Sequence, residues 1–282
     1  MAEKKKTEIT IGFTHHTPSF IEKELENMKK ADVILFESPT YRIEQLKEGT
    51  INPYQLANIS NFPVSAEKMY RSLKLMSVKG KPVFGYEDFN NPVFWSNEER
   101  AKYHRLNNEI ESFFKPRKDF SEGKILKSAM AFAELTNMRD KKAAEWIKHN
   151  LPKFEGKRIY VSAGSTHTAL YHTLKKELEP KGVSVKPLFL AKGFYKDART
   201  MEKYGPYSSL GRALAFKTPS SRNERELKKR LKDAKSYLKK AFKLSKKYAK
   251  TMPWEYALER AELETINSWK GRGMLKRVFR KR

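Results

Sequence analysis

The sequence predicts an α/β fold: a mainly parallel central sheet flanked by helices, with a helical insertion and a C-terminal basic helical hairpin. Three observations predict it. Short apolar, β-branched runs alternate with helical periodicity from Glu8 to Leu188. Residues 33–36 are apolar without alternation, as a strand covered on both faces must be. After Ser221 the pattern changes to one long, lysine-rich heptad.

The elements follow in order. Residues 8–13 read as a first strand. Residues 18–30 read as an amphipathic helix with Phe20, Ile21, Leu25 and Met28 on one face. Residues 31–37 form a second strand ending in Glu37, and shorter helices continue through Val78. Residues 81–87 form a third strand, also ending in a glutamate, Glu87. Residues 92–150 read as a polar helical insertion with a break at 120–123. Residues 157–162 form the next strand. Residues 168–178 form a helix stopped by Pro180 and Gly182, and 183–188 a further strand. Residues 191–210, with Arg199, Tyr204 and Tyr207, read as a long loop suited to a lid or binding segment. Residues 212–217 read as a last strand.

Residues 1–220 thus form the α/β domain and 221–282 a separate arm. Leu227, Leu231, Ala234, Leu238, Ala241, Ser245, Tyr248 and Met252 recur at alternating steps of four and three, a seam along one helix. Pro253 stops it, and Trp254, Leu258, Ala261 and Ile266 suggest a shorter helix packing back.

Charge and composition bound the function. The chain has 59 Lys and Arg against 33 Asp and Glu, a formal charge of +26. Residues 222–282 alone hold 21 basic and 7 acidic side chains. So lopsided a balance favours nucleic acid or another polyanion as partner. Cysteine is absent, which excludes disulfides and thiolate metal sites. No run approaches the length of a membrane span, and the N-terminal residues do not read as a secretory signal. The expectation is a cytoplasmic protein.

Two distant segments share a motif. Gly12-Phe13-Thr14-His15 and Gly164-Ser165-Thr166-His167 each follow an apolar run and precede a helix. With 13 glycines and 6 histidines in 282 residues, chance gives about 0.3 Gly-x-x-His matches, so a pair is informative. Glycine allows a sharp turn off the strand. His15 and His167 would then sit at strand carboxyl ends, where open α/β sheets keep ligand sites. Glu37 and Glu87 end on the same edge. Two imidazoles and a carboxylate, His15, Glu37 and His167, make a candidate site for a divalent metal such as Mn, Zn, Fe or Co. Without metal the same groups could act as acid and base. Arg139, followed by Asp140 on the helix before the second motif, could fix a carboxylate or an oxyanion. His104, His149 and His172 lie on polar helical stretches and read as surface residues.

Together the paired Gly-x-x-His motifs, the strands ending in Glu37 and Glu87 and the Arg139-Asp140 helix resemble the Tiki/TraB/GumN superfamily. That group is similar in fold to the erythromycin esterases and ChaN haem-binding proteins. The resemblance covers residues 7–190. It implies a hydrolase pocket with His15, Glu37, Glu87, Arg139 and His167 in the catalytic set. It also implies cleavage of a peptide or small ester bond by activated water, metal-dependent as in the Tiki proteases or without metal as in the erythromycin esterases.

The alternative is a nucleic-acid-binding or assembly protein that uses its basic arm on a catalytically inert scaffold. The arm then grips phosphates, or its heptad seam forms a homodimer.

Overall fold

Five parallel strands carry the described fold: β1 (Glu8–Thr14), β2 (Val33–Phe36), β3 (Val83–Gly85), β4 (Arg158–Gly164) and β5 (Ser184–Phe189). Eight helices are described with them: α1 (Pro18–Lys30), α2 (Thr40–Glu48), α3 (Pro53–Asn58), α4 (Pro63–Val78), α5 (Asn97–Phe114), α6 (Glu122–Asn150), α7 (Thr168–Leu178) and α8 (Glu224–Tyr248). The structure, a computed structural model, describes residues 6–14, 18–59, 63–114, 121–164, 166–190, 210, 224–253, 256, 257, 260, 261, 264 and 265. The expected loop at 191–210, apart from Leu210, and the expected strand at 212–217 lie outside these residues, as do His15 and His16.

The sheet order is β3-β2-β4-β1-β5. β1 pairs with β4 from Glu8 opposite Arg158 to Thr14 opposite Gly164. The connection after β1 runs past β4 to β2, and the one after β4 runs past β1 to β5. The two connections leave in opposite directions, so β1 and β4 flank a topological switch point. Right-handed crossovers then put α1 and α7 on opposite faces. Ligand sites of open α/β sheets lie outside the carboxyl ends of strands at such a point.

Strand burial follows sequence. Ile9, Ile11 and Phe13 of β1, all four residues of β2, and Ile159, Tyr160 and Val161 of β4 are buried. On one face Ile21, Leu25 and Met28 of α1 join Ile43, Leu46, Leu73 and Tyr160 in a single apolar core. At the amino edge Asp32 accepts the backbone N–H of Arg158 at 2.9 Å and its guanidinium at 2.8 Å, which ties the start of β2 to β4. The guanidinium beside Asp32 holds its carboxyl below the usual range.

Two glycines are explained by close approach. A Cβ on Gly12 would lie 1.8 Å from the Tyr160 hydroxyl. Gly12 is thus an extended residue inside β1 that makes room for a phenol, and the expected sharp turn does not fall there. A Cβ on Gly85 would lie 2.5 Å from the Ser38 carbonyl oxygen. That approach lets Thr40 Oγ1 donate to the Gly85 carbonyl at 2.8 Å and the Glu87 N–H donate to the Ser38 carbonyl at 3.1 Å. The ends of β2 and β3 are thereby held side by side.

The expected break at 120–123 resolves differently at one end: α6 begins at Glu122, and Gly123 lies in its first turn. By internal contacts the chain forms two compact units, residues 1–102 with 136–191 and residues 103–135 with 192–282. The first holds the sheet. In the second, Leu231, Ala234 and Leu238 of α8 bury against Ile125 and Ala129 of α6 and against Leu210. The heptad seam is therefore covered within its own chain, and a dimer through it would have to displace α6. After α8, residues 256, 257, 260, 261, 264 and 265 are helical, and Arg260 lies 4.5 Å from the Tyr248 ring centroid. Among the described residues no helix is long and apolar enough to cross a membrane.

Candidate active site

Local sequence delivers each site residue to one edge of the sheet. Glu37 is the residue after β2, and Glu87 is two residues after β3. His167 stands three residues after β4, at the N-cap position of α7, and its N–H donates to the Gly164 carbonyl at 3.0 Å. Arg139 and Asp140 come from the second half of α6. Histidine makes no side-chain capping bond there. The capping acceptor is Asp140, whose Oδ2 receives the Leu170 N–H at 3.1 Å.

The contacts form one connected network. Asp140 Oδ1 lies 2.5 Å from His167 Nδ1. His167 Nε2 lies 3.2 Å from Glu37 Oε1. The same Glu37 oxygen accepts from Arg139 Nη2 at 2.5 Å, and Glu37 Oε2 accepts the Gly164 N–H at 2.5 Å. Arg139 Nε donates to Glu87 Oε1 at 2.6 Å. One guanidinium thus clamps two carboxylates from neighbouring strands, a fork geometry that lysine cannot supply. Tyr86, buried beneath, donates its hydroxyl to the Ser162 carbonyl at 2.7 Å.

Burial sets the electrostatics. His167 and Asp140 are almost fully buried, and Arg139 keeps about a quarter of its side chain exposed. Burial would lower the proton affinity of His167, but the Glu37 and Asp140 carboxylates on its two nitrogens overcome this, and its pKa is raised to about 10. The ring is therefore an imidazolium at neutral pH. Burial raises the Glu87 carboxyl; Arg139 pulls it back and nearby Glu37 raises it again, for a net upward shift. Burial also pushes the Tyr86 phenol well up, helped by Glu37 and Glu87, so it stays a donor.

The structure brings together four of the five residues singled out in sequence: Glu37, Glu87, Arg139 and His167. The fifth, His15, lies outside the described residues; it follows Thr14, which pairs with Gly164. His104, His149 and His172 stand on helices and are exposed. Sequence reasoning assigned no role in the site to Asp140, Tyr86 or the Gly164 N–H. Asp140 carried a signal, because it shares a helical stripe with the buried Ala143, Ala144 and Ile147. A charge on an apolar stripe needs a partner.

Both His167 nitrogens face carboxylates. Glu37 Oε1 is already held by Arg139. Among the described residues no group of three His, Asp or Glu is arranged to hold a metal ion.

The fold and this cluster define an α/β protein with a carboxylate–imidazolium–guanidinium network at the carboxyl edge of a parallel sheet. Comparison with protein-family models, curated proteins and solved structures finds no match to the chain.

Proposed function

We propose that the protein is a cytosolic hydrolase that cleaves a peptide or small ester bond with activated water at this edge. The observation that supports it most is the single network in which Asp140, His167, Glu37, Arg139 and Glu87 meet at this edge. His167 is held as a cation up to about pH 10, while burial pushes the Glu87 carboxyl up. Sites that do acid and base chemistry at neutral pH are built this way.

In this reading Glu87 takes a proton from water as the water oxygen attacks the scissile carbonyl. Arg139 and His167 stabilise the negative charge that develops on the carbonyl oxygen. His167 then gives its Nε2 proton to the departing amine or alkoxide, and transfer of the proton from Glu87 restores it. Asp140 fixes the ring throughout, and Glu37 aligns both cations. A Mn, Zn, Fe or Co ion, if held by His15, Glu37 and His167, would supply a polarising charge for water or carbonyl. That arrangement requires Arg139 to release Glu37 and His167 to lose its proton.

Assay of the purified chain on a peptide and ester library tests the proposal, alongside His167→Ala, Glu87→Gln and His15→Ala. Hydrolysis should fall by about 10²-fold or more in the first two variants. Treatment with EDTA should leave the rate unchanged. A loss restored by Mn or Zn and absent in His15→Ala would instead assign the ion to His15, Glu37 and His167. Activity that survives in both His167→Ala and Glu87→Gln sinks the site.

A further inference from the structure

The burial pattern of α8 separates two functions that its sequence mixes. Leu231, Leu238 and Ser245 lie on its buried side. One residue after each stands an exposed lysine: Lys232, Lys239 and Lys246. Lys228 and Lys243, also exposed, fall on the same arc. At 100° per residue these five lie within about 60° of one another, and they span about 27 Å of helix. The ladder is thus turned about a third of a circle from the seam.

Of the lysines on α8, Lys228 pairs with Glu224 and Lys235 reaches Glu122 of α6 at 3.7 Å. From Lys235 to Lys250 there are seven lysines and no carboxylate. Like charges three and four residues apart destabilise a helix, so this spacing weakens the element that carries it. The acidic residues of α8, Glu224, Glu226 and Asp233, all precede this run, and Glu224 pairs with Lys228 at 2.7 Å. An outer anion with evenly repeated charge would relieve the repulsion.

We infer that the lysine ladder of α8 docks the phosphate backbone of a nucleic acid without reading its bases. Five exposed lysines on one side of about five turns match a regularly charged backbone better than the scattered carboxylates of a folded protein. From Lys232 to Lys250 there is no Arg, Asn or Gln to pair with base edges. An anionic membrane fits less well. A helix lying in a lipid interface inserts its apolar side, and the apolar side of α8 is packed on Ile125 and Ala129. The inference is independent of the proposed hydrolysis.

The test uses the full chain and a mixed-sequence DNA duplex of about 20 base pairs, titrated by anisotropy over a salt series. Binding should weaken linearly in log salt, with a slope of about −0.9 per phosphate neutralised. The quadruple variant Lys232→Gln, Lys239→Gln, Lys243→Gln, Lys246→Gln should lose at least about tenfold in affinity, and its slope should shrink by about 3 to 4. Glutamine keeps helix propensity, and circular dichroism checks that the variant is folded. A second quadruple variant removes exposed lysines of the sheet unit: Lys23→Gln, Lys29→Gln, Lys79→Gln, Lys181→Gln. It should bind as the parent does. Equal losses in the two variants would show attraction to net charge alone and overturn the ladder. So would absent or salt-insensitive binding, or binding to phosphatidylserine vesicles without binding to DNA.

Discussion

Asp140 joins the ring of His167 to the start of the helix that His167 precedes. One carboxylate oxygen lies 2.5 Å from Nδ1, and the other accepts the Leu170 N–H at 3.1 Å. A single side chain from α6 thus orients a catalytic candidate and caps α7. Removing it leaves a buried imidazolium short of a counter-charge and an N-terminal N–H unmatched. Asp140→Ala should cost about 3–5 kcal/mol, the range for breaking a buried ion pair. Asp140→Asn keeps an acceptor and should cost less. Urea unfolding at neutral pH measures both; an Asp140→Ala variant within about 0.5 kcal/mol of the parent would show that the pair is not formed.

The proton on His167 gives a pH dependence of definite sign. Its folded pKa, about 10, lies above the ordinary histidine value of 6.5. The folded state therefore binds this proton more tightly than the unfolded state. The resulting stabilisation is full below about pH 6.5, declines as pH rises from there, and is gone above about pH 10. Glu87, also raised, contributes with the same sign at lower pH. Nitrogen-15 spectra of the ring should show no titration between pH 6 and 8, and His167→Gln should flatten the alkaline decline. A ring that titrates near 6.5 would remove the cationic role.

Arg139 keeps two carboxylates from neighbouring strands compatible. Arg139→Ala leaves Glu37 and Glu87 facing each other and should destabilise the chain by about 1–3 kcal/mol. Arg139→Lys should recover little of it, because an ammonium cannot fork between them. Adding Glu87→Gln to Arg139→Ala should restore stability, since one of the repelling charges is gone. A double-mutant cycle reads the coupling, and strict additivity would contradict the clamp.

Gly12 is required by a neighbour on the next strand. Gly12→Ala drives a Cβ into the Tyr160 phenol, 1.8 Å from its oxygen. The cost should be about 1–3 kcal/mol, typical of overpacking. Combining it with Tyr160→Val should cost less than the sum of the single changes. Thermal melts of the four proteins decide the matter.

The α8 seam gives a test of oligomeric logic. Leu231→Ala should destabilise the second compact unit by about 2–5 kcal/mol through a cavity against α6. Because the seam is covered within the chain, the melting midpoint should not change with protein concentration. A midpoint that rises with concentration would mean that seam residues are buried between copies.

Much of the cluster is legible in the sequence. Glu37, Glu87 and His167 were found because strands advertise their ends, and in a parallel sheet all carboxyl ends share an edge. Arg139 was found by its place on the helix leading into β4. Asp140 was passed over because a charge on a long polar helix is ordinarily solvated. Buried Glu24 was missed for the same reason: it lies on the apolar side of α1, where it accepts from Ser162 Oγ at 2.5 Å. By spacing alone the arm reads as a hairpin with an open seam, whereas Ile125 and Ala129 of α6 cover it, a contact that residue spacing does not encode.

The sequence by itself determined the alternation of strands and helices, the side of each helix that turns inward and the placing of acids and a histidine at strand ends. These are consequences of local periodicity and turn chemistry, which act over a few residues. Only the tertiary structure decided that Gly12 yields to Tyr160, that Asp140 holds His167, that Arg139 spans Glu37 and Glu87, and that α8 turns its lysines outward. Each of those depends on which surfaces meet across more than twenty residues of chain, and that choice is made by packing and by the need of buried charges for partners.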